Sequence, residues 1–572
     1  MHRVRSTLAA AGVGVSLLAP VMVSNAASAG PASPSQEASG HEFVVGVDAA
    51  APDAGLSAIV EAGGTVVDVN EELGLVLVSA GEEFLTEVTG AEGVEGAARN
   101  HSVGTAQPGQ PHQFATDRLT VLDGQRGHGR PPRAPGRHVG RGAEPLAELQ
   151  WDMAAIGATR DSAHRRATGR GVTVGIIDTG IDASHPDLAR NFSHSMSRNF
   201  TMDIPAIDGP CEYATCIDPP DVDHGGHGTH VAGIVAAARN GVGIGGVAPE
   251  ATLVNLRAGQ DSGYFFVYET VAALTEAATL GLDVVNMSFY TDPWLYNCAS
   301  ADDYLAGDFT EEQIAEQAFV RQTVLAATAH AHAGGVTLVA AAGNGHTDLA
   351  LDERPDASSP DYPPGSEMER VVTSNCLDLP SEAPEVISVS ATGPSGTKSD
   401  YSNYGFGDVE LSAPGGWFRD FVGTPAFGTA GNLILSSYPF DLAVAEGLVT
   451  PDGQPTDEFS VTDCSVSPCA VYTYLQGTSM ASPHVAGVAA LVVEAHGRGN
   501  VRHGFSLAPD RVRTVLETTA ADHACPVGGV EIYTDEGRPA SWNAVCEGTT
   551  ADNGLYGEGI VDANAAVRRN RR

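Results

Sequence analysis

Three residues set far apart in the chain have the types that acyl transfer needs. Asp178 lies in Val174-Gly175-Ile176-Ile177-Asp178-Thr179-Gly180-Ile181-Asp182. His227 opens His227-Gly228-Thr229-His230-Val231-Ala232-Gly233. Ser479 stands in Gly477-Thr478-Ser479-Met480-Ala481-Ser482-Pro483-His484-Val485-Ala486-Gly487. A serine hydroxyl is a weak nucleophile until an adjacent base takes its proton. Histidine takes that proton near neutral pH and later hands it to a leaving amine. A buried carboxylate holds the imidazole in the required tautomer and stabilises its charged form. Glycines around Ser479 let backbone come close to a substrate. A helix N-terminus there would place the Ser479 amide beside a developing oxyanion.

The elements that must position these residues are legible from their patterns. Val172–Ile177 is a continuous apolar run, as in a strand buried on both faces. A carboxylate at the C-terminal end of such a strand sits where α/β proteins place their sites. Val231, Ile234, Val235 and Ala238 fall on one face of a helix, and Val485, Val488, Ala489 and Val492 repeat that spacing. Pro483 is tolerated only near a helix start, which puts Ser479 close to an N-terminus. Further strand-like runs cover 253–256, 283–287, 336–340 and 386–389. Strands alternating with helices predict a parallel sheet covered on both faces, with no internal repeat.

The three segments, in this chain order across residues 148–567, resemble the Asp, His and Ser motifs of the subtilisin-like serine proteases. The resemblance implies a three-layer subtilisin-like α/β fold with a central, mostly parallel sheet. It implies Asp178 as the orienting acid, His227 as general base and Ser479 as nucleophile. Asn344, in Ala340-Ala341-Ala342-Gly343-Asn344, matches the family's side-chain donor to the oxyanion. The family binds its peptide as an added strand, and Ala258–Phe265 and Asn286–Tyr290 match the two flanking backbone segments. Ser288, Phe289, Tyr290, Ala341, Ala342 and Gly343 are the substrate-binding candidates on that basis. Phe289-Tyr290 replaces a glycine-containing run of the family, and a bulky side chain there would narrow the cleft. No cofactor is implied for the chemistry. A structural calcium is implied on Asp187, Asn240, Val242 and Ile244, since hard oxygen ligands suit that ion. The residues alone read as a Gly-rich loop closed by a hydrogen-bonded aspartate, and Arg239 inside the loop counts against calcium.

Residues 41–104 read as strand, helix, strand, strand, helix, which suits a small split βαβ, ferredoxin-like α+β unit with its last segment unclear. By position and topology this unit resembles the family's inhibitory propeptide, which assists folding and blocks the cleft until it is cut. Residues 30–104 are the expected propeptide. Residues 105–147 crowd arginines into a Gly/Pro/His-rich stretch without apolar period and read as a linker. The catalytic domain is expected over 148–567, followed by a basic tail, 568–572. The insertion 417–472 is expected to shape the cleft rim or an exposed lobe.

The chain has 572 residues, 42% hydrophobic and 18% charged, enough apolar material for a large core and too much for wholesale disorder. Its formal charge is −40. Such a surface repels phosphate backbones, so nucleic acid is not an expected partner, whereas hard cations and solubility are favoured. His2, Arg3 and Arg5 precede the apolar stretch Leu8–Val23, and Ala27-Ser28-Ala29 is a small-x-small cleavage site. Residues 1–29 therefore read as a signal peptide, with an N-terminal anchor as the alternative. No apolar run reaches the roughly 18–20 residues that span a bilayer, so the expectation is a secreted, extracellular monomer with no membrane partner after secretion. Eight cysteines fit an oxidising compartment. Cys211 and Cys216, and Cys464 and Cys469, are each five apart and could close small loops, leaving Cys298, Cys376, Cys525 and Cys546; the connectivity stays open.

Three rival readings compete. His224, His227 and His230 are spaced by three and could ligate a metal, but no HExxH run accompanies them. In that case His230 reads as a structural histidine, His224 as an exposed loop residue, and His484 as locally bonded. A lipase or esterase would want Gly-x-Ser-x-Gly, and the second glycine is missing after Ser479. A secreted binding protein on an inactive protease scaffold would be expected to lack at least one of the four catalytic positions, and all four are present. The expectation is a secreted serine endopeptidase, made as a zymogen and cut by itself, working through an acyl-enzyme on Ser479.

Overall fold

The computed structural model describes residues 41–100 and 144–568, apart from 206, 360–367 and 503. The expected signal peptide, most of the 105–147 linker and residues 569–572 of the tail lie outside them.

The first part is a four-stranded antiparallel sheet. It comprises β1 (His41–Val47), α1 (Pro52–Glu61), β2 (Thr65–Asn70), β3 (Leu75–Ala80), α2 (Phe84–Val88) and β4 (Val94–Arg99), with strand order β2-β3-β1-β4. The two-residue period of β1 decides what each side chain meets. Phe43, Val45 and Val47 pack with Ile59, Phe84, Leu85 and Val88 of the unit's own helices. Val44, with Leu75, Leu77 and Ala98, joins the core of the larger body. The segment left unclear by sequence is β4. Val-Glu-Gly-Ala-Ala-Arg has little strand propensity of its own, and pairing with β1 makes it a strand.

The larger body is built on seven parallel strands: β5 (Thr173–Ile177), β6 (Arg198–Asn199), β7 (Thr252–Arg257), β8 (Val284–Met287), β9 (Thr337–Ala341), β10 (Val386–Thr392) and β11 (Leu411–Pro414), in the order β11-β10-β9-β8-β5-β7-β6. Helix α3 (His227–Ala236) and the later helix α6 (Thr478–His496) share one core with one face of the sheet. Helices α4 (Val267–Thr279) and α5 (Glu311–Ala333) share a second core with the other face. This is the three-layer, mostly parallel α/β arrangement of the subtilisin-like fold. Because the strands run one way, their C-terminal ends share one edge, and Asp178, Ser288 and Asn344 follow β5, β8 and β9 there.

The insertion 417–472 contributes to an antiparallel sheet of β12 (Ile434–Tyr438), β13 (Ser460–Asp463) and β14 (Ala470–Leu475), ordered β12-β14-β13. Within it, β12 and β14 are buried along their whole lengths, whereas the loop 451–459 is largely exposed. β12 runs against α3, where a Cβ on Gly233 would come 2.3 Å from Ser436 Oγ. Four disulfides join Cys211–Cys216, Cys298–Cys376, Cys464–Cys469 and Cys525–Cys546.

The small sheet lies on α4 and α5. Phe319 of α5 fits between Gly46 and Gly96, where added Cβ atoms would come 2.9 and 2.4 Å from its ring. Asn70 Nδ2 donates to Thr275 Oγ1 at 2.8 Å. Asn100 Nδ2 donates to Glu269 at 3.1 Å, and its Oδ1 accepts from the Tyr268 amide at 2.9 Å.

Candidate active site

Asp178 and His227 meet at the C-terminal edge of the sheet. Asp178 is fully buried, and its Oδ1 accepts from the Thr179 amide and lies 2.8 Å from His227 Nδ1. A carboxylate can only accept, so Nδ1 carries the hydrogen and Nε2 is left as the basic end of the ring. Gly228 makes the approach possible, since a Cβ there would lie 2.1 Å from Gly180 O and 3.0 Å from the Asp178 Cβ. A second aspartate braces the same junction. Asp223 Oδ1 accepts from Thr179 Oγ1 and the Gly226 amide, and its Oδ2 from the Thr229 amide and hydroxyl, at 2.6–3.0 Å. This carboxylate satisfies amides at the start of α3 that the helix cannot satisfy itself.

Ser479 is the second residue of α6. Its helix packs on the helix that His227 opens, both within one core. Ser479 Oγ donates to Ser288 O at 3.3 Å. Ser288 Oγ accepts from Asn286 Nδ2 at 2.9 Å, donates to Ser479 O at 3.0 Å and contacts Ser482 Oγ at 2.9 Å. That buried cluster fixes the backbone turn carrying the nucleophile candidate. Asn344 is fixed from the other side, because its Oδ1 accepts from the Thr478 amide at 2.9 Å and the Thr478 hydroxyl at 3.0 Å. With the carbonyl end held, the amide presents its NH₂ end on the opposite side, as an oxyanion donor requires. Neither Thr478 nor Asp223 stood out in the sequence, because threonine and aspartate are common near helix starts.

The substrate-binding candidates are placed less simply. Phe289 stacks on Phe265, with centroids 3.9 Å apart and planes within 4°, and both rings are buried. It is therefore packed against the expected substrate-flanking segment Ala258–Phe265. Tyr290 is half-buried. Ala341 and Ala342 are buried, and Gly343 has a φ of 97°, where a Cβ would also lie 2.4 Å from Asn403 Nδ2.

The loop of the calcium expectation is held by its own hydrogen bonds. Asp187 Oδ1 accepts from Asn240 Nδ2 at 3.1 Å, and Oδ2 accepts from the Ile244 amide at 3.1 Å and the Tyr472 hydroxyl at 2.8 Å. Asn240 Oδ1 accepts from the Val242 amide at 2.8 Å. Burial pushes the Asp187 carboxyl up to about 7. Hard cations need converging oxygen lone pairs and an ionised carboxylate. Here N–H and O–H groups meet both Asp187 oxygens, and Val242 and Ile244 offer their amides to Asn240 and Asp187. Tyr472 comes from β14, distant in sequence, which is why the loop alone looked able to take a cation.

The histidines expected to compete for a metal turn to separate partners. His230 Nε2 bonds Thr473 O at 3.1 Å, and burial lowers its pKa to about 3. His224 is only half exposed, and it pairs with Asp218 at 2.8 Å, which raises its pKa to about 9. Asp218 also pairs with the buried Arg257, which holds Asp203 at 3.0 Å and Asp261 at 2.9 Å. His484 reaches beyond its own helix, to Asp152 at 3.0 Å as well as Met480 O at 2.7 Å.

The model of the Subtilase family matches residues 169–559. Subtilisin DY of Bacillus licheniformis is 28% identical over 400 residues, covering 70% of this chain and 92% of its own. Thermitase of Thermoactinomyces vulgaris is 27% identical over 381 residues, covering 66% and 90%. The crystal structure of the epidermin leader peptide processing serine protease of Staphylococcus aureus superposes with a TM-score of 0.58 at 19% identity, covering 93% of this chain and 99% of that one; at that identity the likeness is one of fold.

Proposed function

This chain belongs to the subtilase family and is a serine endopeptidase acting on protein or peptide substrates, and from that premise we propose that Ser479 is its nucleophile, His227 its general base, Asp178 the acid that orients the imidazole and Asn344 the side-chain donor to the oxyanion. His227 Nε2 takes the Ser479 proton as Oγ bonds to the scissile carbonyl carbon. The carbonyl oxygen gains the negative charge, and the Asn344 NH₂ and the Ser479 amide stabilise it. Collapse breaks the C–N bond, and His227 passes its proton to the departing amine. Water then attacks the acyl-enzyme by the same route, releasing the acid and restoring Ser479. The family's chemistry needs no cofactor. The observation that carries the assignment is the 2.8 Å contact of His227 with Asp178, on a sheet edge shared with Asn344. A fluorophosphonate probe should label Ser479 alone, and Ser479→Ala should lose all labelling. A probe adduct elsewhere would refute the assignment.

The same reading includes a secreted zymogen. The four disulfides and the signal-like start support export, and no helix among the described residues is long and apolar enough to cross a membrane. Residues 41–104 act as an intramolecular inhibitor. Asn100, which follows β4, is bonded to Tyr268, just after the expected substrate-flanking segment Ala258–Phe265. The mature enzyme works as a monomer. The loop at Asp187 is held by Tyr472 without calcium.

A further inference from the structure

We infer, resting on the assignment of Ser479 as nucleophile, that Asp378 selects a basic side chain, arginine or lysine, on the residue whose carbonyl Ser479 attacks. With the carbonyl oxygen at Asn344 and the carbon at Ser479 Oγ, that side chain must leave between the backbone walls Ser288–Tyr290 and Ala341–Gly343. Asp378 lies behind the second wall. Its Oδ2 is 3.4 Å from the point a Gly343 Cβ would occupy, one residue from Asn344. The first wall is tied to the same place, because the Thr291 amide donates to Leu379 O at 2.8 Å. The Tyr290 phenol is within electrostatic reach of the Asp292, Asp356 and Asp378 carboxyls, and burial raises its pKa.

Asp378 is a buried carboxyl with one oxygen left unmet. It is 2% exposed, and its Oδ1 accepts no hydrogen bond. The two buried guanidiniums near it are engaged elsewhere. Arg354 pairs with Glu382 at 3.0 Å and bonds Cys376 O, also at 3.0 Å, and Arg370 pairs with Asp356 at 2.7 Å. Two carboxyls, Asp378 and Glu382, thus stand beside one arginine. Burial and the Glu382 charge hold the Asp378 carboxyl well above its usual range. A buried charge is costly until it is paired. A guanidinium or ammonium arriving with the substrate supplies that pairing, and the Tyr290 ring offers it an aromatic face. A neutral side chain leaves the acid unmet, which is how a polar site rejects the wrong substrate.

The test uses matured full-chain enzyme, with active sites counted by fluorophosphonate titration, and peptides identical except for Arg, Lys, Leu or Phe at the attacked residue. The kcat/KM ratio of Arg to Leu should be at least roughly 100, and Asp378→Asn should bring it within about tenfold of one. Should Asp378→Asn not fold, Asp378→Glu takes its place, and displacement of the carboxyl should lower that ratio at least about tenfold. A labelled wild-type enzyme with a ratio near one, or a ratio that neither variant moves, overturns the inference and leaves the nucleophile assignment standing. Absence of labelling at Ser479 removes both.

Discussion

Thr478 grips Asn344 by two hydrogen bonds to one atom, its amide at 2.9 Å and its hydroxyl at 3.0 Å from Asn344 Oδ1. The residue before the nucleophile candidate thereby sets the direction of the oxyanion donor, so the two halves of the oxyanion site move as one piece.

Removing the donor and removing its grip should differ in size. Asn344→Ala should lower kcat on the order of 10²–10³, the usual loss for one oxyanion donor, with KM little changed. Thr478→Val leaves the amide bond and should cost only about tenfold in kcat. Steady-state kinetics on one peptide decides this, and a KM effect larger than the kcat effect would count against the assigned role.

Self-processing predicts a covalent signature. Purified Ser479→Ala should show no casein hydrolysis and retain residues 41–100 on the same chain by intact mass. Normal removal of that segment in the purified variant would mean that another protease cuts it.

Phe319 sits between Gly46 and Gly96 only while the small sheet is docked. In the uncut Ser479→Ala chain, Phe319→Ala should destabilise by about 3–5 kcal/mol, the usual range for a large buried ring. In the matured enzyme the same substitution should cost far less, because the ring loses its cradle. Urea unfolding of both forms measures the difference, and equal losses would argue against docking on α5.

Asp187 gives a pH-dependent test with a defined sign. Its folded pKa is about 7, against about 3.9 in an unfolded chain. The folded state holds this proton more tightly, so the contribution is fully present below about pH 4 and is lost as pH rises to about 7. Asp187→Asn should therefore gain stability relative to wild type across that window and no further above it. Excess EDTA should leave the wild-type Tm unchanged. A chelator-induced drop in Tm that Asp187→Asn abolishes would restore a cation to this loop.

The sequence by itself determined the elements and the chemistry at their ends. The apolar run before Asp178, the helical period after His227 and the glycines and proline around Ser479 are local patterns, and local patterns survive without the fold. What the tertiary structure decided involves partners remote in the chain. Phe289 faces inward because Phe265 waits there. Asp187 meets a hydroxyl because Tyr472 arrives from β14. Asn344 points its NH₂ end away because Thr478 holds its carbonyl. Side-chain direction and charge balance depend on every neighbour within a few ångströms, and packing, not spacing along the chain, chooses those neighbours.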